Sequence, residues 1–214
     1  MPLHIADLGS LLGLSPGDAA ITRALSALSA STPEPAFETK AYPDATFHNY
    51  HTLGLSLCFE PFPSSSSELK LASIDIFNAA APPASRTSTP YAAPPLPLVI
   101  HFADPELVLP ARNGGEAVRV PRPPILEISY ATPARDIVRR LGEPKRKGSG
   151  GWVGVWLEWV GIGLLHGEER ADVGIMLELR DPKTTNSGTG GVWDRAAGWP
   201  WASIKVFRAD AAQA

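Results

Sequence analysis

The chain has 214 residues, of which 44% are hydrophobic and 19% charged, with 22 prolines, a single cysteine and a formal net charge of -3. Length and apolar share suffice for a substantial core, as one domain or two fused subdomains, and the small negative charge excludes a surface wholly given to nucleic acid, which needs clustered Lys and Arg. One cysteine, Cys58, excludes an internal disulfide and disfavours a cysteine-rich zinc site, so a reducing, cytoplasmic setting without a cofactor is expected.

The N-terminal leucines are interrupted by Asp7 and by scattered Gly and Ser, unlike a signal peptide, and no stretch reaches the roughly 18 apolar residues of a membrane span. From Asp18 to Leu28, Ile21, Leu25 and Leu28 recur at helical spacing, with Ser15 as the predicted N-cap and Pro16 at the first helical position. Leu53, Leu55, Leu57 and Phe59 then share one face of a strand, the serines 64 to 67 predict a hairpin loop, and Ile74 and Ile76 oppose Ser73, Asp75 and Phe77 on the next strand. Residues 82 to 124 hold 11 of the 22 prolines and read as a connector. It contains short strands at Leu98 to Phe102 and Leu107 to Leu109, and an exposed excursion at Asn113-Gly114-Gly115; Ile125 to Tyr130 follows as a further short strand.

Thr132-Pro133 opens a second helix that buries Ile137, Val138 and Leu141 and stops at Gly142, with Pro144 beyond. A basic, Gly-rich loop leads to strands over Trp152 to Leu165 and Val173 to Leu179, then a Gly/Ser/Thr-rich excursion at 183 to 192 and a last strand, Ala202 to Phe207. The two halves echo each other. Gly54-Leu55-Ser56-Leu57-Cys58-Phe59-Glu60 and Ala72 to Phe77 match Gly174-Ile175-Met176-Leu177-Glu178-Leu179-Arg180 and Ala202 to Phe207, each set preceded by a helix start. The expected fold class is therefore α+β: two pseudo-repeats, each a short helix packed on an antiparallel sheet, with units at 1–81 and 125–214 and the connector at 82–124.

A helix followed by a meander of antiparallel strands, twice in one chain, resembles the tandem modules of β-lactamase-inhibitor-protein-like folds; as single units, it resembles small outer-membrane assembly lipoproteins. The string Asp136-Ile137-Val138-Arg139-Arg140-Leu141-Gly142-Glu143-Pro144 looks like the helix-ending phrase of such modules. The resemblance implies a binding or inhibitory scaffold and no enzyme. This chain departs from it in having no lipobox cysteine and no framework disulfides.

The sharpest charge feature is Arg135, Arg139, Arg140, Lys145, Arg146 and Lys147, six cations in 13 residues. It reads as a solvated helix end favoured by the macrodipole, or as a surface for an acidic partner, anionic lipid headgroups or an RNA backbone. All six tryptophans follow residue 150; Trp156 is expected in the core, and Trp193, Trp199 and Trp201 beside a partner-binding groove, since tryptophan anchors many interfaces. The expected binding residues are thus Arg139, Arg140, Lys145, Arg146, Lys147, Trp193, Trp199 and Trp201, and the expected partner is a protein or anionic lipid, with nucleic acid disfavoured. His48 and His51 lie three apart, on opposite faces of a strand, and lack a third metal ligand; Cys58 has no nucleophile signature around it. An enzyme using either histidine with Asp44 or Glu60 would need those side chains to converge. The proline-rich string Tyr91 to Pro97 reads as a stiff connector rather than a polyproline ligand.

Overall fold

In the computed structural model, strand β1 (Leu3–His4) runs directly into helix α1 (Ile5–Gly9), whose Ile5, Ala6 and Leu8 are buried. Neither element was legible in the sequence, because so few residues carry no period. The structure describes residues 2–29, 35–62, 65–81, 90–109, 111, 116–150, 154–181 and 191–209. Helix α2 (Ala19–Leu28) buries Ile21 and Leu25, and its N-cap is Asp18, whose carboxylate accepts the Ala20 N–H at 2.8 Å. The cap is not Ser15. Gly17, at φ 81, turns the chain out of any helical path, and the Ser15 carbonyl accepts the Asp18 N–H instead.

Four strands follow: β2 (Glu38–Ala41), β3 (Thr46–Tyr50), β4 (Leu55–Phe62) and β5 (Ser65–Phe77). The serine run is shorter as a loop than its composition suggested, since β5 has begun at Ser65; Ser64 lies outside the described residues. Between β3 and β4, a single 3-10 turn (His51–Leu53) ends at Gly54, in the left-handed region at φ 68. A Cβ there would stand 2.5 Å from the Ala92 carbonyl and 3.0 Å from the Pro94 ring. Gly54→Ala is therefore expected to cost about 2 kcal/mol, from backbone strain together with displacement of the connector, measurable by urea unfolding.

The connector supplies β6 (Leu98–His101), β7 (Glu106–Leu109) and β8 (Val118–Pro121), and β9 (Ile125–Ile128) follows. β6 lies between β1, parallel to it, and β9, antiparallel to it; β7 and β8 form a separate two-stranded arm. The arm is held at its base by Arg122, whose guanidinium sits 3.9 Å from the Phe102 ring centroid and donates to the Asp104 carbonyl at 2.6 and 3.1 Å. Asn113, Gly114 and Gly115 lie outside the described residues.

The last stretch is α3 (Ala134–Leu141), β10 (Arg146–Gly150), β11 (Gly154–His166), β12 (Glu169–Leu179), α4 (Val192–Ala196) and β13 (Trp201–Arg208). The basic run expected to be a loop is instead an edge strand, because Arg146 to Gly150 pair with Gly154 to Glu158. Trp152 and residues 183–190 of the expected excursion lie outside the described residues.

The fold is α+β, with few helices and a large antiparallel sheet ordered β10-β11-β12-β13-β5-β4-β3-β2, so strands from both ends of the chain share one sheet. β5 and β13 meet in its middle, with Lys205 opposite Asp75. One sheet face is apolar: Leu55, Leu57, Ile74, Ile76, Ile175, Leu177, Ile204 and Val206 are buried, and α1 packs across β11, β12 and β13. Alternation puts Cys58, Asp75, Glu178 and Lys205 on the other face. Trp159 is in the core at 2% exposure, whereas Trp156 lies on the polar face over Gly148, where a Cβ would stand 2.6 Å from the indole. The expectation of Trp156 in the core fails because β11 alternates with Val155 and Leu157 inward. Among the described residues, no helix is long and apolar enough to cross a membrane.

Candidate docking site

Helix α3 is amphipathic by spacing: Ala134, Ile137 and Leu141 point into the core, Val138 packs half-buried at its edge, and Arg135 and Arg139 are left on the outward side. Its first N–H groups do not face water. Ala134 donates to the Trp199 carbonyl and Arg135 to the Ala197 carbonyl, both at 3.0 Å, which fastens the end of α4 to the start of α3. α4 itself starts at Gly191, whose N–H donates to the Asp194 carboxylate at 3.1 Å. After α3, Gly142 at φ 88 turns the chain through Pro144 into the edge strand β10, which brings Lys147 back beside the helix.

Between α3, α4 and the end of the sheet lies a groove of about 370 Å³. Val155, Leu157 and Leu179 form its floor, Val138 and Ala196 its walls, and Arg135, Arg139, Lys147 and Trp193 its rim, with the Glu143 carboxylate among them. Trp193 is 41% exposed, and the Lys147 ammonium stands 5.8 Å from its ring centroid. A pocket of this volume admits one or two apolar side chains, and its rim presents positive charge and an aromatic ring.

The basic cluster is partly neutralised. Arg139 pairs with Asp136 at 3.7 Å, Lys147 with Glu143 at 3.2 Å, and Arg146 with Glu158 at 3.5 Å, the first two pairs standing in solvent, where each contributes little to stability. Among the described residues neither Arg140 nor Lys145 has an ion-pair partner. Arg140 lines a second hollow of about 520 Å³ on the far side of α3, which shares Arg139 with the first.

Of the residues expected to bind, the structure brings Arg139, Lys147 and Trp193 together. Arg146 is turned to the other sheet face, 5.8 Å from the Trp156 ring, and Lys145 sits exposed at the turn. Trp199 is half-buried against the core. Trp201 is removed from the groove altogether: it is 0% exposed and its indole N–H donates to the Ser129 carbonyl at 2.8 Å, so no partner reaches it. The residues missed were the helix α4 and Leu179; Val138, expected on the buried side of α3, packs half-buried against the core and also walls the groove. Gly191 with Asp194 three residues on was the available signal for α4.

The other candidates do not assemble. His48 stacks on Phe37 (4.4 Å) and lies tilted against Phe59 (4.9 Å), and burial lowers its pKa; His51 bonds Glu38 at 3.0 Å. Glu60 is on the face of Cys58, 3.8 Å from its sulfur, away from His48. Burial first, then the Glu60 charge, pushes the Cys58 thiol up to about 12, so it stays protonated and is a poor nucleophile at neutral pH. Among the described residues, no three or more His, Cys, Asp or Glu side chains are grouped to hold a metal ion.

No family model, no curated protein and no solved structure matches the chain.

Proposed function

We propose that this protein is a non-catalytic protein-binding scaffold, of adaptor or inhibitor type, that docks an acidic segment carrying one apolar anchor residue into the groove beside α3. The observation that carries this reading is the junction of an apolar floor (Val155, Leu157, Leu179) with a rim of Arg135, Arg139, Lys147 and the exposed Trp193. An apolar pocket under a cationic rim discriminates by both shape and charge. Anionic lipid, the competing reading, is less favoured by this geometry. Headgroup capture needs no apolar pocket, and here Arg135, Arg139 and Lys147 border one.

The scaffold itself reads as a duplicated unit of one helix and four strands, α2 to β5 and α3 to β13, the second with the short helix α4 before its last strand. What supports this is equal register in the two halves. Leu55 and Leu57 lie opposite Ile76 and Ile74, as Ile175 and Leu177 lie opposite Val206 and Ile204. Asp75 and Lys205, at matching places in the two strings, face each other at the centre.

Peptides selected from a displayed random library on the intact protein are expected to be acidic with one aromatic or large aliphatic residue. Arg139→Glu with Lys147→Glu, and separately Trp193→Ala, should each weaken such a peptide by at least about tenfold, the loss of one good interface contact. Phosphatidylserine vesicles test the alternative. Vesicle binding abolished by the charge reversals, with no acidic peptide recovered, would replace this reading with the lipid one.

A further inference from the structure

The outer edge of the large sheet opposite β10 is β2, and among the described residues no strand pairs with its free side. All four residues of β2 are exposed. Directly before and after it stand Phe37, 46% exposed, and Tyr42, 57% exposed. Each is seated on one side only, Phe37 against His48 and Tyr50, and Tyr42 edge-on to Phe47. An unpaired edge with bare aromatics at both ends is a place where another strand adds.

The residues themselves say which strand. The string Ala36-Phe37-Glu38-Thr39-Lys40-Ala41-Tyr42 is complementary to its own reverse about Thr39. We propose that β2 pairs antiparallel with β2 of a second copy of this chain, about a two-fold axis at Thr39, to form a dimer with one sheet continuous across both copies. In that register Thr39 faces Thr39 of the second copy, Glu38 faces Lys40, and at the flanks Phe37 faces Ala41 and Tyr42 faces Ala36. Thr–Thr and acid–base cross-strand pairs each contribute favourably, and alanines opposite the aromatic rings leave room for them. Centring the axis on Glu38 or on Lys40 sets like charges directly opposite, so charge selects Thr39. Both side chains stand about half exposed at this edge, where Glu38 now meets Lys40 at 3.5 Å and His51 at 3.0 Å within the one chain. The contact is isologous and closes at two copies.

Sedimentation equilibrium of the whole chain tests the proposal. The wild type should show a monomer–dimer equilibrium below about 100 µM, and Lys40→Glu should raise the dissociation constant at least about tenfold. The double variant Glu38→Lys with Lys40→Glu restores opposite charges across the axis and should recover the wild-type constant to within about threefold. Thr39→Cys should crosslink into a disulfide dimer on mild oxidation, whereas Asp44→Cys should not. A wild type that remains monomeric at that concentration, a dimer indifferent to Lys40→Glu, or a Thr39→Cys protein that does not crosslink while circular dichroism reports a native fold would each overturn it.

Discussion

Replacing Trp201 with alanine is expected to lower stability by about 3–5 kcal/mol, the range for losing a large aromatic from a core. The side chain is fully buried, and its indole N–H holds the Ser129 carbonyl at 2.8 Å. Its own carbonyl accepts from the Asn78 side-chain amide at 2.8 Å, and that same amide donates to the Tyr130 carbonyl at 3.0 Å. Three stretches therefore meet at this residue: the end of β5, the end of β9 and the start of β13. Truncation opens a cavity and at the same time removes the donor to the Ser129 carbonyl, a hydrogen bond contributing about 0.5–1.5 kcal/mol. Urea unfolding of Trp201→Ala beside Trp193→Ala checks the assignment, since the exposed Trp193 should cost less than about 1 kcal/mol. Equal losses for the two would contradict the division into a core tryptophan and a rim tryptophan.

Asp75→Asn is expected to do the reverse, raising stability at neutral pH. Burial, reinforced by Glu178 and opposed by Lys205, pushes the Asp75 carboxyl up to about 6 from its usual 3.8. The Lys205 ammonium lies 3.7 Å away, too far and too exposed to compensate fully. A raised folded-state value means that the native protein holds this proton when the unfolded chain has lost it. Stability therefore falls as pH rises from about 4 to about 6 and stays low above that, by up to about 3 kcal/mol for a shift of this size. The asparagine variant, which never ionises, should gain most of that above pH 6.5 and be indistinguishable from wild type near pH 3.5. Thermal melts across that range decide it. A variant destabilised at pH 7.5 would mean that the Asp75–Lys205 attraction outweighs the burial of the charge.

The position of this pair explains why it was invisible beforehand. Asp75 is legible as the polar member of an alternating strand, and Lys205 likewise, but 130 positions separate them. Only the pairing of β5 with β13 sets them opposite each other. The candidate groove divides in the same way. Arg139 and Lys147 were legible from a local run of charge, and Trp193 from the clustering of tryptophans. The apolar floor was not, because Val155, Leu157 and Leu179 look like ordinary strand interior and are buried as such; only the placing of α3 and α4 beside them makes them the bottom of a groove. Trp201 looked equivalent to Trp193, since composition does not reveal which indole the core encloses.

By itself, the sequence determined the elements whose periodicity is long enough to read: α2 and α3, the alternating strands β4, β5, β12 and β13, their inward faces, and the interval of prolines between the halves. Side-chain spacing dictates burial within an element, so these were local matters. Tertiary structure decided everything that depends on pairing between distant segments. It turned the Lys-Arg-Lys-Gly run into an edge strand, recruited Leu3 and Leu98 into a small sheet over the core, and gathered strands from both ends of the chain into one large sheet. Strand pairing is a contest among distant backbone donors and acceptors, won by the register that buries the most apolar surface, and no window of a few residues contains that comparison.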